Sequence, residues 1–488
     1  MNKLQQIINN KWFPFLFVTF AIGISLFQHY RIFTLDFIGV HSWRQTQTQT
    51  VILNFANQDF SILNPHINDL TNNNGLYRME FPLMQWLIAL FYKVFGNHLL
   101  ITRVFLFCIT LFSVFGIYKL ANVLASNKLL AFTLSWLFLF SPIIYYYSVN
   151  PIPDNMALCM AIWSTYFWIN YLKQHATSSF IFSCIFLAFS VAIKLPFIVF
   201  GGMYLSAYLS RNPDSRFKFK YIYIPFLICL PALMWYVWVI GSWKGNGVVA
   251  GVFENPMSIK QFFDYVQFNL FSTVPELLIN YATLPFFLIG FFVVVKNIDF
   301  KNQIHTSFLS ISFLATCYFF YEINMITRVH DYYLFPFLPL LFVIILVSLK
   351  YVIISSKRLL RYLLFLTIFC CPITAYLRCN TRWNLYEPGT TKEYVIYKTK
   401  IQSKLPKEAK VIVDNEKSNC INLYYLNRKG WGFAKGTLTE TGLKDKIKLG
   451  ATHIAFDYDI DKNYFLNTYL DSMIIDLKPL RIYKLKQL

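Results

Sequence analysis

Long apolar runs separated by short polar breaks organise most of the chain. A helix that crosses a bilayer needs roughly 20 apolar residues. Runs of that kind lie near residues 13–30, 101–121, 129–148, 155–172, 178–194, 196–210, 221–241, 276–296, 306–322, 332–349 and 360–377. The stretch 82–95, PLMQWLIALFYKVF, is short for a span and reads as a juxtamembrane helix. From about residue 380 the pattern changes. AKVIVDN, GWGFAKG, ATHIAFDYD and PLRIYKL read as short strands, and KEYVIYKTKIQSKL, SNCINLYYLNR and TETGLKDKIKL as helices between them, the last with a threonine at its start. Such alternation predicts a small α/β domain. The expectation is an α-helical polytopic membrane protein of about 11 transmembrane helices with juxtamembrane helices over residues 1–378. A C-terminal α/β extracytoplasmic domain would follow over 379–488. KGWGFAKG follows a helix and is no phosphate loop, and no internal repeat supports an inverted-repeat transporter.

Composition agrees. Only 14% of the 488 residues are charged, 56% are hydrophobic and 51 are phenylalanine. Soluble domains carry about 25% charged residues, and mean hydropathy here is +0.45. The net charge of +20 does not speak for nucleic acid once it is located. Lys3 and Lys11; Lys119 and Lys128; Lys173; Arg211, Arg216, Lys218 and Lys220; Lys296 and Lys301; and Lys350, Lys357, Arg358 and Arg361 occupy every second break. With residue 1 in the cytoplasm this satisfies the positive-inside rule. An odd number of spans then puts the α/β domain, and the loop after the first span, outside the cytoplasmic membrane. The N-terminal stretch has no small-residue cleavage site and reads as an uncleaved first helix. Seven of nine cysteines lie in apolar runs; Cys379 and Cys420 lie in the polar part, where export would permit a disulfide.

The outer loops hold the ionisable residues that need explaining. DFIGVHSWRQTQTQT contains Asp36, His41 and Arg44, and LYRMEFPLMQW contains Glu80. SVNPIPDNMAL contains Asp154, SVAIKLPFIVF contains Lys194, and EINMITRVHDYYLFPFLP gathers Glu322, Arg328, His330, Asp331, Tyr332 and Tyr333. Each has a structural reading: Asp154 capping its helix, Lys194 snorkelling, Glu80 complementing a helix dipole, and Arg328, His330 and Asp331 forming a solvated loop. Trp43 suits an interfacial anchor. Yet ionisable groups at membrane depth are costly and usually functional, and topology puts all of these at one surface. Bases suit the binding of a phosphate, and a carboxylate suits the acceptance of a proton. The carboxylates Asp36, Glu80 and Asp154 could also hold a divalent cation. No hydrolase elbow, HExxH site or P-loop is present.

The order of these motifs over residues 10–378 resembles the GT-C membrane glycosyltransferases, specifically the protein-O-mannosyltransferase and aminoarabinose-transferase superfamily. The family's Glu-x-Pro-Leu-x-x-Trp-Leu element is matched by EFPLMQWL from Glu80 to Leu87, its next outer acid by Asp154, its later lysine by Lys194, and its basic-aromatic element by HDYYLFPFLP. The resemblance implies transfer of a sugar from a polyprenyl-phosphate donor to an envelope glycolipid, polysaccharide or protein, outside the cytoplasmic membrane and with inversion. It implies catalytic roles among Asp36, His41, Glu80 and Asp154, and substrate or phosphate binding by Arg44, Lys194, Arg328, His330 and Tyr333. The chain departs from the family in two places. The first-loop acids fall at His41 and Ser42, so the base lies between Asp36, favoured as a carboxylate, and His41; and Phe81 stands where a lysine commonly follows the glutamate. A polysaccharide polymerase or ligase, a lipid-linked glycan transporter and an inactive scaffold are the competing readings.

Overall fold

The computed structural model describes residues 13–210, 219–243, 257–355, 357–384, 386–416, 418, 420–460 and 464–488. Of the basic residues that set the expected orientation, Lys3, Lys11, Arg211, Arg216 and Lys218 lie outside the described residues. Five described helices are long and apolar enough to cross a membrane: Leu99–Ala125, Lys220–Trp243, Gln303–Arg328, Asp331–Ile354 and Arg358–Arg382. A sixth candidate is the pair Ile259–Leu278 and Tyr281–Lys296, bent by 98°. Shorter apolar helices cover Leu16–His29, Leu83–Phe95, Lys128–Leu139, Thr177–Ile193 and Leu195–Leu209. The apolar runs are therefore helical, but several are broken where a single span was expected.

The breaks have local causes. The run 129–148 stops at Leu139 and restarts as Pro142–Tyr147, because a proline at a first helical turn has no N–H to continue the preceding ladder. Residues 196–210 wind mostly as a 3-10 helix, Leu195–Leu205, with Pro196 in its first turn. The run 276–296 bends at Asn280, which sits in the left-handed region at φ 69. Its side chain spans the bend, donating to the carbonyls of Phe140 at 3.0 Å and Cys371 at 3.2 Å. Elsewhere helices approach closely: a Cβ at Gly290 would overlap the carbonyl of Ile344.

One element was not expected. The Gln/Thr run, read as loop, forms the helix Ser42–Asn57 with every residue from Arg44 to Thr50 buried. Most of its polar side chains find partners inside the protein: Gln47 donates to Tyr77 Oη at 2.7 Å, Gln49 to Tyr92 Oη at 2.8 Å, and Thr48 Oγ1 to the Arg44 carbonyl at 2.9 Å, while Gln45 Oε1 has none among the described residues. A helix polar on all sides is stable when each side meets a polar partner.

The C-terminal part is a five-stranded sheet of β1 (Val411–Asp414), β2 (Gly430–Phe433), β3 (His453–Phe456), β4 (Leu470–Leu477) and β5 (Leu480–Leu485). The order is β2-β1-β3-β5-β4. β2, β1 and β3 are parallel, and β5 runs antiparallel between β3 and β4. β1 and β3 are buried throughout, and apart from Asp414 at the end of β1 and His453 at the start of β3 they are apolar, as central strands require. Cys379 and Cys420 are both buried free thiols, so the permitted disulfide is absent. The last apolar helix runs on to Arg382. The sheet domain then seats on the chain's first loops: Gly430 N donates to the Asn68 carbonyl at 3.0 Å and Leu70 N to the Gly430 carbonyl at 2.8 Å. Gly389 touches Ser42 so closely that a Cβ would overlap its hydroxyl.

Candidate active site

Glu80 lies in the bend before Pro82 and forms a buried ion pair with Arg44, which also donates to Gln47. Both belong to the neighbourhood of the polar helix, so the helix's burial fixes Arg44 in place. Burial alone would push the Glu80 carboxyl up; Arg44, with Lys194, more than offsets it and holds the group below the usual carboxylate range. Asp154 stands in the first turn of the helix Pro153–Gln174 but does not cap it. It faces Lys194 instead, Oδ2 to Nζ at 3.6 Å, and is only 1% exposed. Lys194 ends the helix Thr177–Ile193 in extended conformation, and its ammonium lies 4.9 Å from the ring centre of Tyr333. A snorkelling lysine would point to water; this one points inward to a carboxylate.

His41 opens the polar helix in the left-handed region at φ 58. Its Nε2 lies 3.2 Å from Asp331 Oδ1. Asp331 is held in turn by Tyr147 Oη, donating to Oδ1 at 2.7 Å, and Trp383 Nε1, donating to Oδ2 at 2.9 Å. His330 stacks on Tyr333 at 4.6 Å and bonds Tyr332 through Nδ1 at 2.8 Å. Burial and then the charges of His41, Lys194 and Arg44 push the His330 imidazole well below its ordinary value, so it stays neutral. The alternative reading of a solvated loop does not fit it: it is 4% exposed.

The segment His330–Tyr333 contributes to two chambers, Tyr333 to one and Asp331 to the other. One, of about 340 Å³, has Glu80, Lys194, Glu322, Tyr318 and Tyr333 among otherwise apolar walls. Glu322 Oε2 is buried there without a hydrogen-bond partner among the described residues. The other, of about 220 Å³, is more polar and is lined by His41, Thr327, Arg328, Asp331, Arg382 and Trp383.

Of the residues expected at the site, the structure thus brings together His41, Arg44, Glu80, Asp154, Lys194, His330 and Tyr333, with Arg328 on the second chamber. Asp36 is not among them. It accepts from Lys398 Nζ at 2.6 Å and Tyr424 Oη at 2.8 Å, both in the sheet domain. Asp36 therefore does not share a carboxylate cluster with Glu80 and Asp154, and among the described residues no three His, Cys, Asp or Glu side chains are gathered as ligands of one ion. Glu322 and Asp331 were visible in the sequence as members of an outer loop, without a role. Arg382 carried no signal, since it ends an apolar run like any interfacial arginine.

With this geometry in place, comparison with known proteins is informative. Residues 80–238 match the family described as dolichyl-phosphate-mannose-protein mannosyltransferase. No curated protein matches the sequence. Among solved structures, ArnT from Cupriavidus metallidurans in the apo state is similar with a TM-score of 0.68 at 12% identity, covering 97% of each chain. The same protein bound to undecaprenyl phosphate gives 0.64 at 11% identity, over 97% of this chain and 98% of that one. The Archaeoglobus fulgidus oligosaccharyltransferase in its apo form gives 0.57 at 11% identity, over 92% and 70% of the two chains. The chain has the fold of ArnT, a GT-C membrane fold, and over residues 80–238 it is similar to the protein mannosyltransferases.

Proposed function

We propose that the protein transfers a sugar from a polyprenyl-phosphate donor to an envelope acceptor at the outer face of the cytoplasmic membrane. The observation that carries this reading is the larger chamber. It offers apolar walls to a lipid chain and, at one end, Lys194 to a phosphate, with the carboxylates of Glu80 and Glu322 beside it; Arg44 pairs with Glu80 and Asp154 with Lys194 behind that lining. A donor that is half hydrocarbon and half phosphosugar fits such a mixed cavity, which has the volume of an ordinary ligand pocket. The match of residues 80–238 to a mannosyltransferase family, and the likeness to a structure bound to undecaprenyl phosphate, support the same donor class. The bases would hold the leaving phosphate as charge develops on it.

The test is transfer from a polyprenyl-phosphate sugar in purified membranes, with mass spectrometry of envelope glycolipids from cells with and without the gene to identify the product. Lys194→Met leaves Asp154 buried and unpaired and removes a phosphate contact, so transfer should fall by about 10²-fold or more. Full transfer by Lys194→Met at unchanged protein abundance would sink the donor-site assignment.

A further inference from the structure

The smaller chamber is the more polar of the two and shares no lining residue with the apolar cavity, Asp331 lining the one and Tyr333 the other. Three observations define it. The His41 imidazole is fixed on one side by Asp331, itself immobilised by Tyr147 and Trp383. That leaves His41 Nδ1 without a hydrogen-bond partner among the described residues. Arg328 makes no ion pair among the described residues, while Arg378 and Arg382 share a single carboxylate, Glu276, at 3.9 and 3.7 Å. The chamber thus has surplus positive charge at its rim and an oriented imidazole on its wall.

We propose that this chamber is the acceptor subsite, taking a hydroxyl or amine carried on an anionic molecule, with Arg328 and Arg382 holding the anion and His41 accepting the proton. The proposal rests on the transferase reading and deepens it. In the step, the acceptor oxygen or nitrogen forms a bond to the anomeric carbon while the bond from that carbon to the carrier phosphate oxygen breaks. The electron pair leaves with the phosphate, which passes from a singly charged diester to a monoester. The acceptor's proton goes to His41 Nδ1, and the imidazolium, stabilised by Asp331, releases it to water. A histidine oriented by a carboxylate thus stands where the family resemblance leads one to expect a first-loop acid. An imidazole so held is a competent base at neutral pH.

The test uses the full chain in phosphatidylcholine nanodiscs and diethyl pyrocarbonate, which acylates a free imidazole nitrogen; peptide mass spectrometry reads each histidine separately. Glycerol 1-phosphate, which carries a hydroxyl near a phosphate, should slow modification of His41 severalfold, and glycerol should not. The exposed His98 and His305 serve as internal controls and should react at unchanged rates. Arg328→Gln should abolish the protection; Arg328 is exposed, so the change tests charge without disturbing packing. Nanodiscs containing phosphatidylglycerol, with nothing added, distinguish a lipid headgroup from a soluble acceptor: protection there names the headgroup, and protection by glycerol 1-phosphate alone names a soluble anion. Protection by neither, equal protection in Arg328→Gln, or a His41 that never reacts would overturn the proposal. Release of sugar from a polyprenyl-phosphate donor into water reports the donor cavity alone. Its absence with protection intact would sink the transferase reading, whereas donor turnover without protection would sink this one.

Discussion

His41 holds a backbone conformation that side-chain-bearing residues rarely adopt, φ 58 at the start of a helix, and such strain is found where function keeps it. His41→Gln preserves size and polarity but cannot take a proton, so transfer should fall by about 10²-fold or more. Asp36→Asn should leave turnover within a few-fold and instead weaken the seat of the sheet domain, at a cost of roughly 1–3 kcal/mol for a partly buried acid bonded to Lys398 and Tyr424. Turnover and melting temperature of both variants decide this; an Asp36→Asn enzyme that is stable but inactive would restore the carboxylate as the base. Sequence reading favours Asp36 by chemical analogy, and what it cannot see is the pairing of Asp36 with Lys398, more than 350 residues away along the chain. Glu416 makes a second residue-level case. Its carboxyl accepts from the backbone N–H of Asn422 at 2.9 Å and Ser418 at 3.3 Å. Burial, with Asp69 nearby, still pushes it up to about 8. A raised folded-state value means that the stability Glu416 contributes is fully present below about 4.5, its unfolded value, and is lost as pH rises through about 8. Thermal unfolding of the full chain should therefore weaken between pH 5 and 9, and Glu416→Gln should flatten that slope.

At the scale of elements, burial without an apolar stripe is the chief departure from what periodicity reveals. The helix Ser42–Asn57 has no such stripe because it is covered from two sides by tyrosines of the bundle and by the sheet domain. Sequence periodicity sees apolar partners and is blind to a helix whose partners are phenols and amides. The strongly apolar runs were legible for the opposite reason, since bilayer and bundle make the same demand of every face. Their interruptions were not, because Pro142 and Asn280 act on the backbone while leaving mean hydropathy unchanged. In the sheet, β1, β2, β3 and β5 were legible, while the edge strand β4 was not: seven of its eight residues are at least part-exposed, and it pairs irregularly. Helix crossings supply a sharp test. The helices Leu284–Lys296 and Leu338–Ile354 meet where Gly290 faces the backbone of Ile344. A backbone carbonyl cannot swing aside as a side chain can, so Gly290→Val should cost about 1–3 kcal/mol or more. An unchanged melting temperature for that variant would show that the helices can slide apart freely.

For the whole molecule, the alternation of basic breaks predicts one orientation, with the α/β domain on the outer side. A periplasm-active phosphatase fused at Lys400 should be active and a cytoplasm-active reporter inert; the reverse result would move the entire site to the other face. The domain's position explains why the site's geometry was only partly legible: Trp383 and Arg382 form part of the His41 chamber, and Gly39 and Val40 donate to the carbonyls of Glu387 and Trp383 at 2.8 and 3.2 Å. Pairings between opposite ends of a chain leave no local pattern to read. They do fix how such proteins can be recombined. Since one face of the polar helix and residues 68–70 are lodged against the sheet domain, a chimera that exchanges only the C-terminal domain would leave Ser42, Trp43, Leu53 and the 68–70 backbone facing a foreign surface. The heritable module is discontinuous: the sheet domain travels with residues 36–57 and 66–70, or it does not travel at all.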